Sequence, residues 1–426
     1  MSATLLTVIL FFIFMFMGVP VSVSMIFSLI ISVLVLDIYA AISLATLFYS
    51  ALDSYLLVAI PLFMLAGIAM SFGGVARRIF DFSESILGYL PGSLGAVNIM
   101  ASMIFGGLSG SSVADVAGLG SVEISEMKSR NYPIKYATAL TVASSTMAVI
   151  IPPSILLIIY ATIANISVGE MLASGLVPGL FIACLMIIAN TWMAVRNKWT
   201  PLRNFSMKKV IKSGTIGIPA MLAPIIILGG IFYGTFTPTE ASAIAFIYCI
   251  AIGIIIYREL NITKIYRIIY EGGRTTGIVA LELAAGLLFS NLITIEGIPD
   301  MLTASISGLT QNPVLIMLMI NIVLLLAGMF LNPGFSIIVF TPLLLPLAVN
   351  IGYSPIHFGV IMVTNLALGL ITPPVGACLY MGSVVSGLRV EKIIRDLVPF
   401  YLVLILSLVC IILLPQLSQG FVDWIY

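Results

Sequence analysis

The chain has 426 residues, 61% of them hydrophobic and only 8% charged, with a formal net charge of +1. That balance excludes a soluble domain and offers no basic footprint to a nucleic acid. The short alternating segments of a β-barrel do not occur either, so the expected class is an all-α polytopic membrane protein.

Apolar runs at about 3–17 and 21–36, parted by Gly18-Val19-Pro20, predict two spans joined by a tight turn. Residues 40–54 are amphipathic and are expected along an interface, before a span at about 55–73 that leads to Arg77 and Arg78. Segments 92–110 and 112–122 are together too short for two comfortable crossings. They predict a re-entrant hairpin with the Gly/Ser-rich stretch Phe105–Asp115 at its tip. Residues 134–164 read as one span broken near Ile151-Pro152-Pro153, and 171–195 cross back to a loop rich in Lys and Arg, Arg196–Lys212. Spans at about 215–233, 241–257 and 275–293 follow, then a second hairpin at about 314–350 with Asn332-Pro333-Gly334 at its tip. A span at 356–388 is broken at Pro373-Pro374, and a last one covers 398–416.

The breaks repeat. Gly107 and Gly328 are 221 positions apart, and so are Pro152 and Pro373; under that shift Ser111 falls on Asn332 and Asp115 on Ser336. The chain is therefore expected to hold a first repeat over 1–200, a connecting cytoplasmic loop over 201–214 and a second repeat over 215–426. With ten crossings and two re-entrant hairpins, the loops at 77–91, 123–135, 196–214, 258–274 and 389–397 share one side and hold all 18 Lys and Arg residues. The positive-inside rule makes that side cytoplasmic and both termini periplasmic, which inverts the repeats relative to one another.

Unsatisfied backbone in hydrocarbon costs several kcal/mol per group, so a Gly/Pro break at mid-membrane must line a cavity or bind something. Helix C-terminal carbonyls and hydroxyls suit a hard cation such as Na⁺, while helix N-termini suit an anion. The residues assigned to Na⁺ are Ser109, Gly110, Ser111, Ser144 and Ser145 in the first repeat, and Asn332, Gly334, Thr364, Asn365 and Thr372 in the second. Those assigned to substrate are Ser112, Asp115, Ser154, Asn332 and Ser336, with Pro152, Pro153, Pro373 and Pro374 as helix breaks. The competing reading of such clusters is close helix packing through small residues. Asp115 is an intramembrane acid, functional by default, with helix capping as its alternative.

Glu240 follows Thr237-Pro238-Thr239 and reads as a capping residue, while Glu282 sits within an apolar run. His357, the only histidine, reads as an interface residue, which argues against a histidine proton relay. Cys184, Cys249, Cys378 and Cys410 lie singly in apolar runs, with no disulfide or zinc spacing. No phosphate-binding loop occurs. Ser109 and Asp115 have no partnered base to make a serine hydrolase, and two opposed hairpins describe alternating access better than a continuous pore.

Gly106–Ala117, the break Ile151–Ser154, Asn332-Pro333-Gly334 and Thr372–Gly376 together resemble the large membrane subunit of tripartite ATP-independent periplasmic (TRAP) transporters, over essentially the whole chain. The resemblance implies an elevator-type carrier of the bacterial inner membrane, with a scaffold and a moving transport domain that contains both hairpins. It implies uptake of an organic acid, of the C4-dicarboxylate, 2-oxo acid or sialic acid class, with Na⁺ as coupling ion and no other cofactor. The partners it implies are a small four-helix membrane subunit, expected as a separate chain, and a periplasmic substrate-binding protein. A self-sufficient carrier of the same architecture, needing no binding protein, is the alternative.

Overall fold

The computed structural model describes residues 3–36, 41–53, 55–199, 201 and 205–426, and among them every regular element is helical. The first half opens with α1 (Ala3–Phe16) and α2 (Val21–Leu36), then α3 (Ala41–Leu52) and a 3-10 turn running into α4 (Ala59–Phe72). Next comes α5 (Val75–Leu87), bent by 72° from α4. The stretch 77–91, expected as a loop, is largely this helix: Val75, Ala76, Ile79, Phe80 and Ser83 recur at helical spacing and are buried, leaving the arginines on the other face. The first hairpin is α6 (Ser93–Ser109) and α7 (Ser112–Ser129), so its second arm runs well past the expected 122. A broken span follows, made of α8 (Ile134–Ser144), a 3-10 stretch (Ser145–Val149), the Pro152-Pro153 break and α9 (Ile155–Ile163). The half ends with α10 (Val168–Arg196).

The second half begins with α11 (Met207–Phe232), which takes over much of the loop expected at 201–214; Arg203 lies outside the described residues. Then come α12 (Pro238–Ala251) with a π turn, α13 (Ile262–Ile295) and α14 (Ile298–Leu309). The second hairpin is α15 (Pro313–Phe330) and α16 (Pro333–Asn350). Its partner span is α17 (Pro355–Gly369) and α18 (Ala377–Ser386), followed by α19 (Val390–Leu413) and α20 (Gln416–Ile425).

The 221-residue shift runs through the whole architecture. It carries α7 onto α16 end for end, α8 onto the start of α17, and α3 and α4 onto the two ends of α13. One 34-residue helix in the second half thus stands where the first half has a helix, a turn and a helix. The packing is exchanged between halves: α7 lies on α18 while α16 lies on α9, and α8 lies on α19 while α17 lies on α10. Such reciprocity is what a two-fold axis between the halves requires.

Seven helices among the described residues are at least 18 residues long and apolar enough to cross a bilayer, or eight with the bent α4–α5 pair. Ten crossings were expected. The difference arises because α1, α2 and the broken spans fall short of 18 residues in one piece, whereas each arm of the second hairpin reaches that length. At 1.5 Å per residue such an arm is about 27 Å long. Two expectations about single residues also resolve here. Glu240 caps α12: Thr237 donates its backbone N–H to Glu240 Oε2 at 2.8 Å, and Thr237 Oγ1 accepts from the Glu240 N–H. His357 lies in the first turn of α17, near the helix end as expected, and is buried with Nδ1 2.6 Å from Ser418 Oγ.

Candidate transport site

Each hairpin turns through a short break that sets a helix end against a helix start. In the first, α6 closes on Gly110, whose left-handed φ of 61° lets its N–H reach Gly106 O at 2.8 Å. Ser111 is then extended, and its Oγ accepts from the Ala114 N–H at 3.4 Å as the N-cap of α7. In the second, Asn332 is the N-cap of α16, its Oδ1 accepting from the Gly334 N–H at 2.9 Å, with Pro333 at the first helical position. The two caps are the residues that the 221-residue shift superposes. Beyond the capped N–H groups, each tip joins a helix end that leaves carbonyls, and a helix start that leaves N–H groups, without intrahelical partners.

Glycines let the tips seat closely. A Cβ on Gly107 or Gly110 would come within 3.1 Å of the carbonyl oxygen of Pro152 or Pro153, so the first tip rests on the first Pro-Pro break. Gly67 of α4 lies against Ser109, and Gly334 lies against Leu156 and Ile159 of α9. Both tips therefore converge on α9. Between them and the α4–α13 pair is one cavity of about 730 Å³, within the usual range for a site holding an organic molecule.

The cavity wall brings together six of the residues picked out in the sequence: Ser109, Gly110, Ser111, Ser112, Asn332 and Gly334. Ser112 Oγ is buried and makes no hydrogen bond. Asp115, one turn further along α7, does not line the cavity. It is fully buried, neither carboxylate oxygen has a hydrogen bond, and the cap of its helix is Ser111, so capping is not its role. Ser336, its counterpart by the shift, is also buried with a free hydroxyl.

The residues beside the Pro-Pro breaks stand behind the wall rather than in it. Ser154 caps α9, accepting from the Leu157 N–H at 3.3 Å. Ser144 bonds Asn98 Oδ1 at 2.9 Å and lies 3.0 Å from Ser102 Oγ, and Ser145 donates to Val142 O at 2.8 Å. Thr372 donates to Leu368 O at 2.6 Å. Asn365 donates to Asn321 Oδ1 at 2.6 Å while its own carbonyl oxygen is free, as is the hydroxyl of buried Thr364.

Two features escaped the reading of the sequence. Glu123, expected in a loop, is fully buried on α7, where Asn98 Nδ2 donates to it at 2.7 Å and Thr141 Oγ1 at 3.2 Å. Its placement eight residues after Asp115, on the same helical face, was the available signal. The wall facing the hairpins includes α13, through Glu271, Thr275, Val279 and Glu282. Nothing in the pattern of one helix says which hairpin it will face.

Comparison with known proteins agrees with this architecture. The chain is 35% identical over 383 residues to the C4-dicarboxylate TRAP transporter large permease protein DctM of Pseudomonas aeruginosa, covering 90% of each chain. It is likewise 35% identical over 415 residues to the sialic acid TRAP transporter large permease protein SiaM of Vibrio cholerae, covering 96% of this chain and 97% of that one. Among solved structures the YdaH transporter of Alcanivorax borkumensis shares the fold, with a TM-score of 0.62 at 13% identity over 90% of this chain and 87% of that one. The model of the DctM component of tripartite ATP-independent periplasmic transporters matches residues 8–417, and the chain belongs to that family.

Proposed function

We propose that this chain is the substrate-translocating subunit of a Na⁺-coupled secondary transporter that imports an organic acid across the bacterial inner membrane. The observation that carries the reading is the meeting of both hairpin tips, capped by Ser111 and Asn332, on one cavity. Tip carbonyls and hydroxyls supply oxygen ligands for Na⁺, and the N-termini of α7 and α16 favour a carboxylate beside it. The hairpins form one wall and α4 with α13 the other, so a rigid slide of the hairpins along that pair carries the cavity's contents across in an elevator cycle.

Segregation of Lys and Arg supports a cytoplasmic basic face, periplasmic termini and hairpins entering from opposite sides, hence inverted repeats. Family membership supports a small membrane subunit and a periplasmic binding protein as partners. The test is uptake into proteoliposomes that hold this subunit with its small partner, fed by the loaded binding protein. Uptake should require Na⁺ and rise with an inside-negative potential, since each net positive charge moved inward gains about 2.3 kcal/mol per 100 mV. Equal rates with K⁺ or choline in place of Na⁺ would sink the proposal.

A further inference from the structure

We infer that the cleft between α5 and the start of α11 binds the headgroup of an anionic phospholipid, with Lys209 and Lys212 holding its phosphodiester and the acyl chains lying on the outer face of α11. The cleft encloses about 330 Å³ and shares no residue with the cavity between the hairpin tips. Three cations line it, Arg78, Lys209 and Lys212, together with the acids Asp81 and Glu84. Those acids are already matched by cations outside the cleft: Asp81 lies 3.3 Å from Arg77, and Glu84 accepts from Arg130 at 3.2 Å. Arg78 donates to Glu259 at 2.7 Å, and its guanidinium lies over the Tyr257 ring. Lys209 and Lys212 make no ion pair among the described residues. Both are exposed, hence charged at neutral pH, and they leave the cleft with unmatched positive charge.

Helix stability does not account for these lysines. Lys208 and Lys209 fall in the first turn of α11, where the helix dipole disfavours a cation, and no acid lies in that turn. The positive-inside rule asks for basic residues on this side of the membrane, but not for two of them to converge on one cleft. A bound phosphodiester answers both points, since it neutralises the lysines and complements the helix start. The surroundings favour a lipid over a free phosphate. Ile216 lines the cleft and is half exposed, and the outer surface of α11 runs on through exposed Ile218, Leu222 and Ile225. Just before α11, exposed Phe205 meets exposed Tyr89 edge to face, as aromatic side chains gather at headgroup level. Charge gives way to apolar surface in the order in which a phospholipid presents its own parts.

The test uses the complex of this subunit with its small partner in detergent, equilibrated with phosphatidylglycerol or phosphatidylcholine and read by native mass spectrometry for retained lipid. Phosphatidylglycerol should be retained about tenfold more tightly than phosphatidylcholine, and Lys209→Gln with Lys212→Gln should weaken it by about fivefold for each lysine. Lys128→Gln with Lys198→Gln removes the same charge from exposed positions outside the cleft and should leave retention unchanged. Equal retention of the two lipids by the parent protein, or equal loss in the two double variants, would overturn the inference. So would displacement of the bound phosphatidylglycerol by an equal concentration of inorganic phosphate, which would assign the cleft to a soluble anion.

Discussion

Ser111 and Asn332 each do two things at a hairpin tip. Each accepts a hydrogen bond as a helix cap, and each presents a polar group to the cavity. Ser111→Ala should therefore cost about 1 kcal/mol in folding stability, as cap loss does, and also raise the Na⁺ concentration needed for half-maximal uptake. Ser111→Asn keeps the cap and separates the two effects: unfolding temperature should return to the parent value, while the Na⁺ dependence, set by tip geometry, stays altered. Asp115 presents a different case, because burial of a carboxylate with no hydrogen bond is costly, and its place in the first turn of α7 offsets only part of that cost. Asp115→Asn should leave the unfolding temperature equal or higher and largely abolish uptake. Near-normal uptake would remove Asp115 from the transport machinery. A polar tip at Ser111 was legible, since the serine sits beside glycines at a break, but its role as the cap of α7 was not read from the sequence. That Asp115 lies one turn behind the wall was not, because sequence spacing sets a residue's face but not how deep the neighbouring helices bury it.

At the scale of elements, the hairpins are held to the broken spans by contacts that leave no room for a side chain. Gly328 of α15 and Gly369 of α17 meet backbone to backbone, so a Cβ on Gly369 would lie 2.4 Å from the Gly328 carbonyl carbon. The first half repeats the device between Gly106 and Ala148, the residue that the 221-residue shift places on Gly369. Gly369→Ala should destabilise the protein by about 1–3 kcal/mol through overpacking, read as a lower unfolding temperature in detergent, whereas Gly273→Ala, where a Cβ meets open space, should not. A second set of contacts joins α5 to the base of the first hairpin: Arg77 to Glu126 at 2.5 Å and Arg130 to Glu84 at 3.2 Å. These pairs explain why the stretch after Arg77 could not be read as a helix from apolar content alone. Its face toward α7 is charged, and only the alternation of Ile79, Phe80 and Ser83 marks the buried side.

For the whole molecule, the duplication was legible because glycines and paired prolines at breaks are chemically unmistakable, and their common spacing survives the drift of the apolar residues around them. The crossing count was less legible, since a span cut at a Pro-Pro break and a long hairpin arm differ in length by only a few residues. The reciprocal packing of α7 on α18 and α16 on α9 fits a two-fold between the halves; the proposed topology puts that axis in the membrane plane. If the axis lay along the membrane normal instead, both hairpins would enter from one side and no carrier cycle of the proposed kind would follow.

Accessibility of single cysteines to an impermeant thiol reagent tests that arrangement most directly. In a background with Cys184, Cys249, Cys378 and Cys410 replaced, one cysteine goes at Lys198, after α10, and another at Gln311, just before α15; both native side chains are exposed. The account predicts that in right-side-out vesicles the reagent labels position 311 and spares position 198, and that inverted vesicles reverse the pattern. Labelling of both positions from the same side would contradict the inverted repeat, and with it the meeting of two opposed hairpins on which the transport mechanism rests.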